Sequence, residues 1–204
     1  MAVKPKKPTL IEEVRRKQVI ETAIQAIASR GFAHTTLADI AKMAGVSTGV
    51  ITYHFKNKDD LLEQCIRTLF EAPNNFVTER VDMQRTYVEK LRVYIESNVE
   101  FMLKNRNHSI AMVQSFGFLN AEEEKFRITS RQHTKIRNYL IRIVDGGKKH
   151  KEFRDVPSTT IAQLILASLE GIMIQWALSE KDVDLPLYAE QLVDMITRQV
   201  RIAS

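Results

Sequence analysis

Apolar residues recur along this chain at close to a helical period, and almost nowhere with the alternation of a strand. In IEEVRRKQVIETAIQAIASRGF they fall at Ile11, Val14, Val19, Ile20, Ala23, Ile24, Ile27 and Ala28, which predicts one amphipathic helix stopping at Gly31. Thr35 and Thr36 then offer an N-cap to a second helix over Leu37–Ala44. Gly45 breaks it, and Ser47 caps a third running to about Phe55. After Lys56-Asn57-Lys58, the run DDLLEQCIRTLFEA opens with two acids where a helix N-terminus favours negative charge, and Pro73 ends or bends it. Further helical segments are predicted at about 78–105, 108–119, 121–145, 158–180 and 186–202, with the main loops at Asn105–His108 and from Gly146-Gly147 to Pro157.

That is about nine helices, and composition agrees: seven Gly and five Pro in 204 residues are too few for the turns of an all-β chain. The expected fold is all-α, with an N-terminal three-helix domain followed by a larger helical one. The expected boundaries are a basic arm over 1–10, a small domain over 11–57 and the remainder over 58–204. A single cysteine, Cys65, rules out an internal disulfide and fits a reducing compartment. With no apolar run of membrane-span or signal-peptide length, the expected location is the cytoplasm.

Charge divides the chain unevenly. Residues 1–58 hold ten Lys/Arg against four Asp/Glu, while the remainder holds twenty against twenty-one, so the whole excess of positive charge sits in the first quarter. A polyanion contact at that end is the functional reading, and a solvated basic terminus is the bland one.

Two short helices joined at a glycine constrain which positions must be small and which apolar. Ile40, Ala44, Val46 and Ile51 recur where the pair must meet each other and the first helix, Ala41 permits close approach, and Gly45 stands at the turn. This is the arrangement of a DNA-binding helix-turn-helix. In its second helix Val50, Ile51 and Phe55 share the inward stripe. Thr48, Gly49, Thr52, Tyr53 and Lys56 are left facing outward, a set suited to phosphates and base edges in a major groove.

The run TTLADIAKMAGVSTGVITYHFKNKDDLL resembles the DNA-binding domain of the TetR family of bacterial transcriptional regulators, and the match extends from about Ile11 to Leu62. The resemblance implies a role for each matching position. Thr36 would contact backbone phosphate, Ser47, Thr48, Gly49 and Thr52 would form the recognition face, Tyr53 and His54 would meet phosphates, and Lys58 would clamp another. For His54 an imidazole packed against the first helix is the open alternative. Lys4, Lys6 and Lys7 are candidates for further phosphate or minor-groove contacts, with an arm that makes no contact as the alternative.

The segment IAQLILASLEGIMIQWAL, 161–178, is apolar nearly all round, so it must be covered on every side. Together with 187–200 it predicts a two-fold homodimer whose interface includes Leu164, Leu169, Ile172, Leu192, Met195 and Ile196. The resemblance implies the same pair of helices. It also places the middle helices around a small-molecule effector pocket, for which Tyr94, Phe101, Met102, Met112, Phe116, Met173 and Trp176 are candidates, ordinary core being the alternative. The stretch EGIMIQWALSEKDVDL resembles the effector domain of betaine-response regulators of the family, over too short a length to name a ligand.

Catalytic constellations are missing. There is no H-E-x-x-H, no G-x-S-x-G and no phosphate-binding Gly-rich loop, and the five histidines lack metal-ligand spacing. Neither enzyme, cofactor nor metal is expected. The expected function is a homodimeric regulator, in the first instance a repressor, that binds double-stranded operator DNA through residues 47–55 and is released by an effector. The competing reading is a helical ligand-binding or protein-interaction module without sequence-specific DNA binding.

Overall fold

The structure, a computed structural model, describes residues 9–118 and 123–202. Among them the order is α1 (Leu10–Arg30), α2 (Leu37–Ala44), α3 (Thr48–His54), α4 (Lys58–Asp82), α5 (Tyr87–Lys104), α6 (Arg106–Phe118), α7 (Glu123–Lys149), α8 (Ser158–Leu178), a 3-10 turn at Glu180–Asp182, and α9 (Leu185–Val200). One isolated antiparallel bridge, Phe153 to Arg201, ties the loop after α7 to the end of α9.

Local chemistry sets most helix starts. Thr9 and Thr36 each close a reciprocal capping box, with Glu12 and Asp39 respectively. Ser47, Asn57, Thr86 and Asp184 cap α3, α4, α5 and α9 with side-chain oxygens. Each box hydroxyl or carboxylate satisfies an amide that would otherwise lack a partner in the first turn.

Three elements run differently from the sequence expectation. α4 passes through Pro73 and continues to Asp82. The helix expected over 78–105 is therefore interrupted, with Met83–Thr86 as the break before α5. α7 runs through Gly146 and Gly147, where a loop is expected, because neighbouring rings need the space. A β-carbon at Gly146 would lie 2.1 Å from the Tyr87 ring, and one at Gly147 2.1 Å from the Phe153 ring. Beyond α7, Glu152 accepts the Tyr87 and Val88 amides at 2.7 and 3.1 Å, joining this loop to the start of α5.

The N-terminal helices pack as a unit: α2 and α3 lie on α1, and α4 leaves them to enter the larger bundle. There α4 packs on α5, α6 and α7, α8 rests on α6 and α7, and α9 covers α5. One continuous apolar core runs through both parts, from Ile27 and Ile51 through Leu61 and Leu69 to Ile95, Leu140 and Ile165. By length and composition α8 matches a membrane span, against the expectation that no stretch does, with a mean hydropathy of 1.5 over its window. Its burial supplies the reason: Ile161, Ile165, Leu169, Ile172 and Trp176 pack into this core.

The buried Phe153 ring over Gly147 offers a direct check on the α7 ending. Gly147→Ala should lower stability by about 1–3 kcal/mol, the usual range for forcing volume into a packed site, read as a shift of the urea midpoint at constant slope. An unchanged midpoint would mean that the ring moves aside freely.

Candidate functional site: a helix-turn-helix face and an interior cavity

The turn between α2 and α3 forms because Gly45 adopts the left-handed region at φ 66° and ψ 32°. The Val46 amide then donates to the Ala41 carbonyl at 3.0 Å and the Gly45 amide to Lys42 at 3.4 Å, the two bonds that close a Schellman ending. Ser47 follows at once as the cap of α3, its Oγ accepting from the Val50 amide at 3.4 Å. Ile51 and Phe55 are fully buried and Val46 and Val50 half-buried, which orients the helix. Ser47, Thr48, Gly49, Thr52, Tyr53 and Lys56 are exposed on the side away from the core.

Several of these groups already have partners. The Thr36 hydroxyl donates to Asp39 Oδ2 at 2.6 Å, and Asp39 in turn pairs with Arg30, so Thr36 holds the α1–α2 corner as well as standing at a helix start. The Thr36 contacts, and Arg30 beside them, hold the Asp39 carboxyl below its usual range. Thr52 donates to the Gly49 carbonyl at 3.2 Å. His54 is half-buried, its ring edge-on to Tyr53 at 5.1 Å, and Phe55 packs beneath the Arg16 guanidinium at 4.7 Å. Lys58 begins α4 directly after the Asn57 cap. The arm residues Lys4, Lys6 and Lys7 lie outside the described residues.

The second site is a cavity of about 100 Å³ bounded by α4, α5, α6, α7 and α8. Tyr94, Phe101, Met102, Met112, Phe116 and Met173 line it. Trp176 does not: its buried ring lies under Arg106, 5.9 Å from the guanidinium carbon, and Arg106 is held by Glu180 at 2.7 Å. Phe70, Pro73, Asn74, His108, Ser109 and His133, which the sequence reading did not place in a pocket, also line the cavity, and so does Glu170.

Pro73 explains why His108 is there. A proline inside a helix has no amide hydrogen for the carbonyl four residues earlier, which leaves Leu69 O open in the middle of α4. His108 of α6 reaches that oxygen through Nε2 at 2.9 Å. Because a carbonyl only accepts, Nε2 is the protonated nitrogen. Burial pushes the imidazole pKa below its usual value, against the pull of this bond. The mid-helix proline was the signal available in the sequence, since an interior proline implies a donor somewhere else.

The cavity wall is mainly aromatic and apolar, with Asn74, Asn98, Ser109, two histidines and one acid among its polar groups. Glu170 lies 3.4 Å from His133 Nδ1, and burial raises its pKa while His133 opposes the rise. Tyr94 is buried, and its phenol is raised by that burial. No lysine or arginine is among the described lining residues.

Of the residues expected at a dimer interface, Leu169, Ile172, Leu192 and Ile196 are buried within the single chain, so they face its own core. Leu164 and Met195 are exposed. The apolar strip left outside on α8 is Leu164, Ala167, Gly171, Ile174 and Leu178, with Leu187 and Met195 on α9. A β-carbon at Gly171 would meet nothing within 4 Å, as expected of an outward position.

Residues 19–65 match the model of bacterial regulatory proteins of the tetR family, and 84–200 that of the tetracyclin repressor-like C-terminal domain. The HTH-type transcriptional regulator BetI of Escherichia coli is 26% identical over 179 residues, 87% of this chain and 89% of that protein. Among solved structures, a transcriptional regulator from Saccharomonospora viridis in complex with choline superposes with a TM-score of 0.84 at 20% identity, covering 94% of this chain and all of the other. FadR from Bacillus subtilis in complex with stearoyl-CoA superposes at 0.78 and 22% identity, covering 89% and 97%.

The His108 bond makes a paired expectation. His108→Phe should cost about 1–3 kcal/mol of unfolding free energy by stranding Leu69 O. Adding Pro73→Ala, which restores an amide at that position, should recover most of the loss. A histidine kept neutral by burial also makes stability fall as pH drops below the unfolded value of about 6.5, so His108→Phe should flatten the pH dependence between about pH 7 and 5. Failure of Pro73→Ala to rescue would show that the carbonyl is satisfied by other means.

Proposed function

The chain belongs to the TetR family of bacterial regulatory proteins, DNA-binding transcription regulators that respond to ligands, and we propose that this member is a homodimeric repressor. In this reading α3 of each subunit enters a major groove of a palindromic operator, with half-sites about one helical turn, 34 to 36 Å, apart. The hydroxyls of Ser47, Thr48 and Thr52 meet bases or phosphates, and Gly49 lets the backbone approach. Tyr53, His54, Thr36 and Lys58 flank that face as phosphate contacts. The dimer forms through the outward apolar strip of α8 and α9, where Ala167 and Gly171 are small enough for close approach of two helices.

One observation carries the regulatory part: α6 touches both sites. Its His108, Met112 and Phe116 line the cavity, while Gln114 on the same helix donates to Ala28 O near the end of α1 at 3.3 Å. α4 connects the same two places, running from the cap beside α3 to Phe70, Asn74 and Val77 at the cavity wall. A ligand filling the cavity acts on two helices that also carry the DNA-binding unit. Release follows if it binds more tightly to the arrangement in which the two α3 helices are misplaced for successive grooves. Equal affinity for both arrangements would shift nothing.

The cavity chemistry restricts the effector. An anionic group inside would meet Glu170 and no lysine or arginine among the described lining residues. The enclosed part of the effector is therefore neutral or cationic, and aromatic faces favour a cation. The choline of the S. viridis structure and the acyl chain of the stearoyl-CoA in the B. subtilis structure each fit that limit.

Selection of DNA fragments from the source genome by the purified chain should enrich one palindrome, and choline or acyl-CoA thioesters can then be tested for its release. Recovery of fragments without a shared motif would favour the module that does not read sequence. Thr52→Ala should weaken operator binding by about 1–3 kcal/mol if a base contact is lost. Lys58→Ala should weaken binding to all sequences alike and lower the salt slope by about one unit. A loss confined to one sequence would contradict its phosphate role.

A further inference from the structure

The first turns of α1 make a direct contact with the recognition helix. α1 begins at Leu10, whereas the match to the family model begins at residue 19. These first turns reach alongside α3, with Ile11, Glu12 and Arg15 facing Gly49, Val50 and Tyr53 across a shallow cleft. Inside the cleft Tyr53 donates its hydroxyl to Glu12 Oε1 at 2.7 Å, and Glu12 Oε2 accepts the Thr9 amide at 2.6 Å. Both carboxylate oxygens are thus committed, one to the cap of α1 and one to a residue of the outward face.

A phenol has one proton to give, and a phosphate oxygen only accepts. While Tyr53 donates to Glu12 it has no proton for a DNA phosphate, and a phosphate approaching it also meets the carboxylate's charge. These bonds hold the Glu12 pKa down at about 2, so the carboxylate is charged at any pH at which DNA is bound. Tyr53 itself is 72% exposed, so the contact is not imposed by packing.

We propose that Glu12 competes with the DNA backbone for the Tyr53 hydroxyl, an acidic restraint in the first turn of α1 that weakens binding to every sequence. The proposal rests on the DNA-facing reading of α3. Because sequence-independent affinity comes almost wholly from the backbone, a restraint on a phosphate contact acts on operator and random DNA alike. It leaves more of the protein free to search.

The test uses the full chain, a mixed-sequence duplex and the palindrome recovered from genomic selection, at one salt concentration. Glu12→Gln retains an acceptor for the Thr9 amide and removes the charge. It should tighten binding to both duplexes by about three- to ten-fold. In a Tyr53→Phe background the same substitution should gain clearly less, since no hydroxyl is there to release. Glu12→Ala serves as a second variant, with melting temperatures as the check on folding. Weaker or unchanged binding in Glu12→Gln would overturn the proposal, and so would an equal gain in both backgrounds, which would mean charge repulsion without competition for Tyr53. Absence of DNA binding by the unaltered chain would overturn the DNA-facing reading as well, which separates the two failures.

Discussion

A carbonyl without its helical partner organises the centre of this molecule. Pro73 withdraws the amide that would bond to Leu69 O, and His108 replaces it from another helix. The substitution converts a defect within one helix into a cross-link between two. Gln114 then fastens the same α6 to the end of α1, and α1 packs on α4, so three helices form a closed circuit. The cavity occupies one side of this circuit and the DNA-facing unit the other. Movement of α6 alone would break a partly buried hydrogen bond, so α4 and α6 are expected to move together or not at all.

The surface facing DNA follows a different logic, in which local geometry is set first and chemistry is placed on it afterwards. The Schellman turn at Gly45 and the Ser47 cap determine where α3 starts, and burial of Ile51 and Phe55 determines how it is rotated. Few of the polar groups so presented are idle. Thr36 and Asp39 secure a corner with Arg30, and Thr52 bonds to its own helix. In the proposed DNA contacts, Thr36 and Thr52 would exchange or share such bonds on meeting a phosphate or a base, so part of the gross contact energy is offset in advance.

How much of this could be read from the sequence depends on the range of the interaction concerned. α2 was expected at Leu37–Ala44 and lies there, because a threonine cap, an Asp three residues on and a glycine ending all act within one turn. α7 departs from the local reading at Gly146-Gly147, where Tyr87 from α5 and Phe153 from the following loop require bare backbone. On α8, apolar residues fall on nearly every face, so periodicity cannot say which neighbour covers which side. Leu169 and Ile172 are buried in the chain's own core, and Trp176 packs beside Arg106 instead of lining the cavity. The Glu12–Tyr53 bond joins residues 41 positions apart in the chain, with no pattern between them to announce it.

Cys65, the only cysteine in the chain, is buried where α4 packs on α1, its sulfur 4.0 Å from the Ile20 carbonyl. Burial pushes its pKa up to about 12, so the reactive thiolate is nearly absent while the helices stay packed. Its rate of alkylation is then a clock for transient parting of α1 from α4. An unmodified chain carries its own label at the junction between the N-terminal helices and the bundle, and the kinetics of that one atom report how often the two come apart.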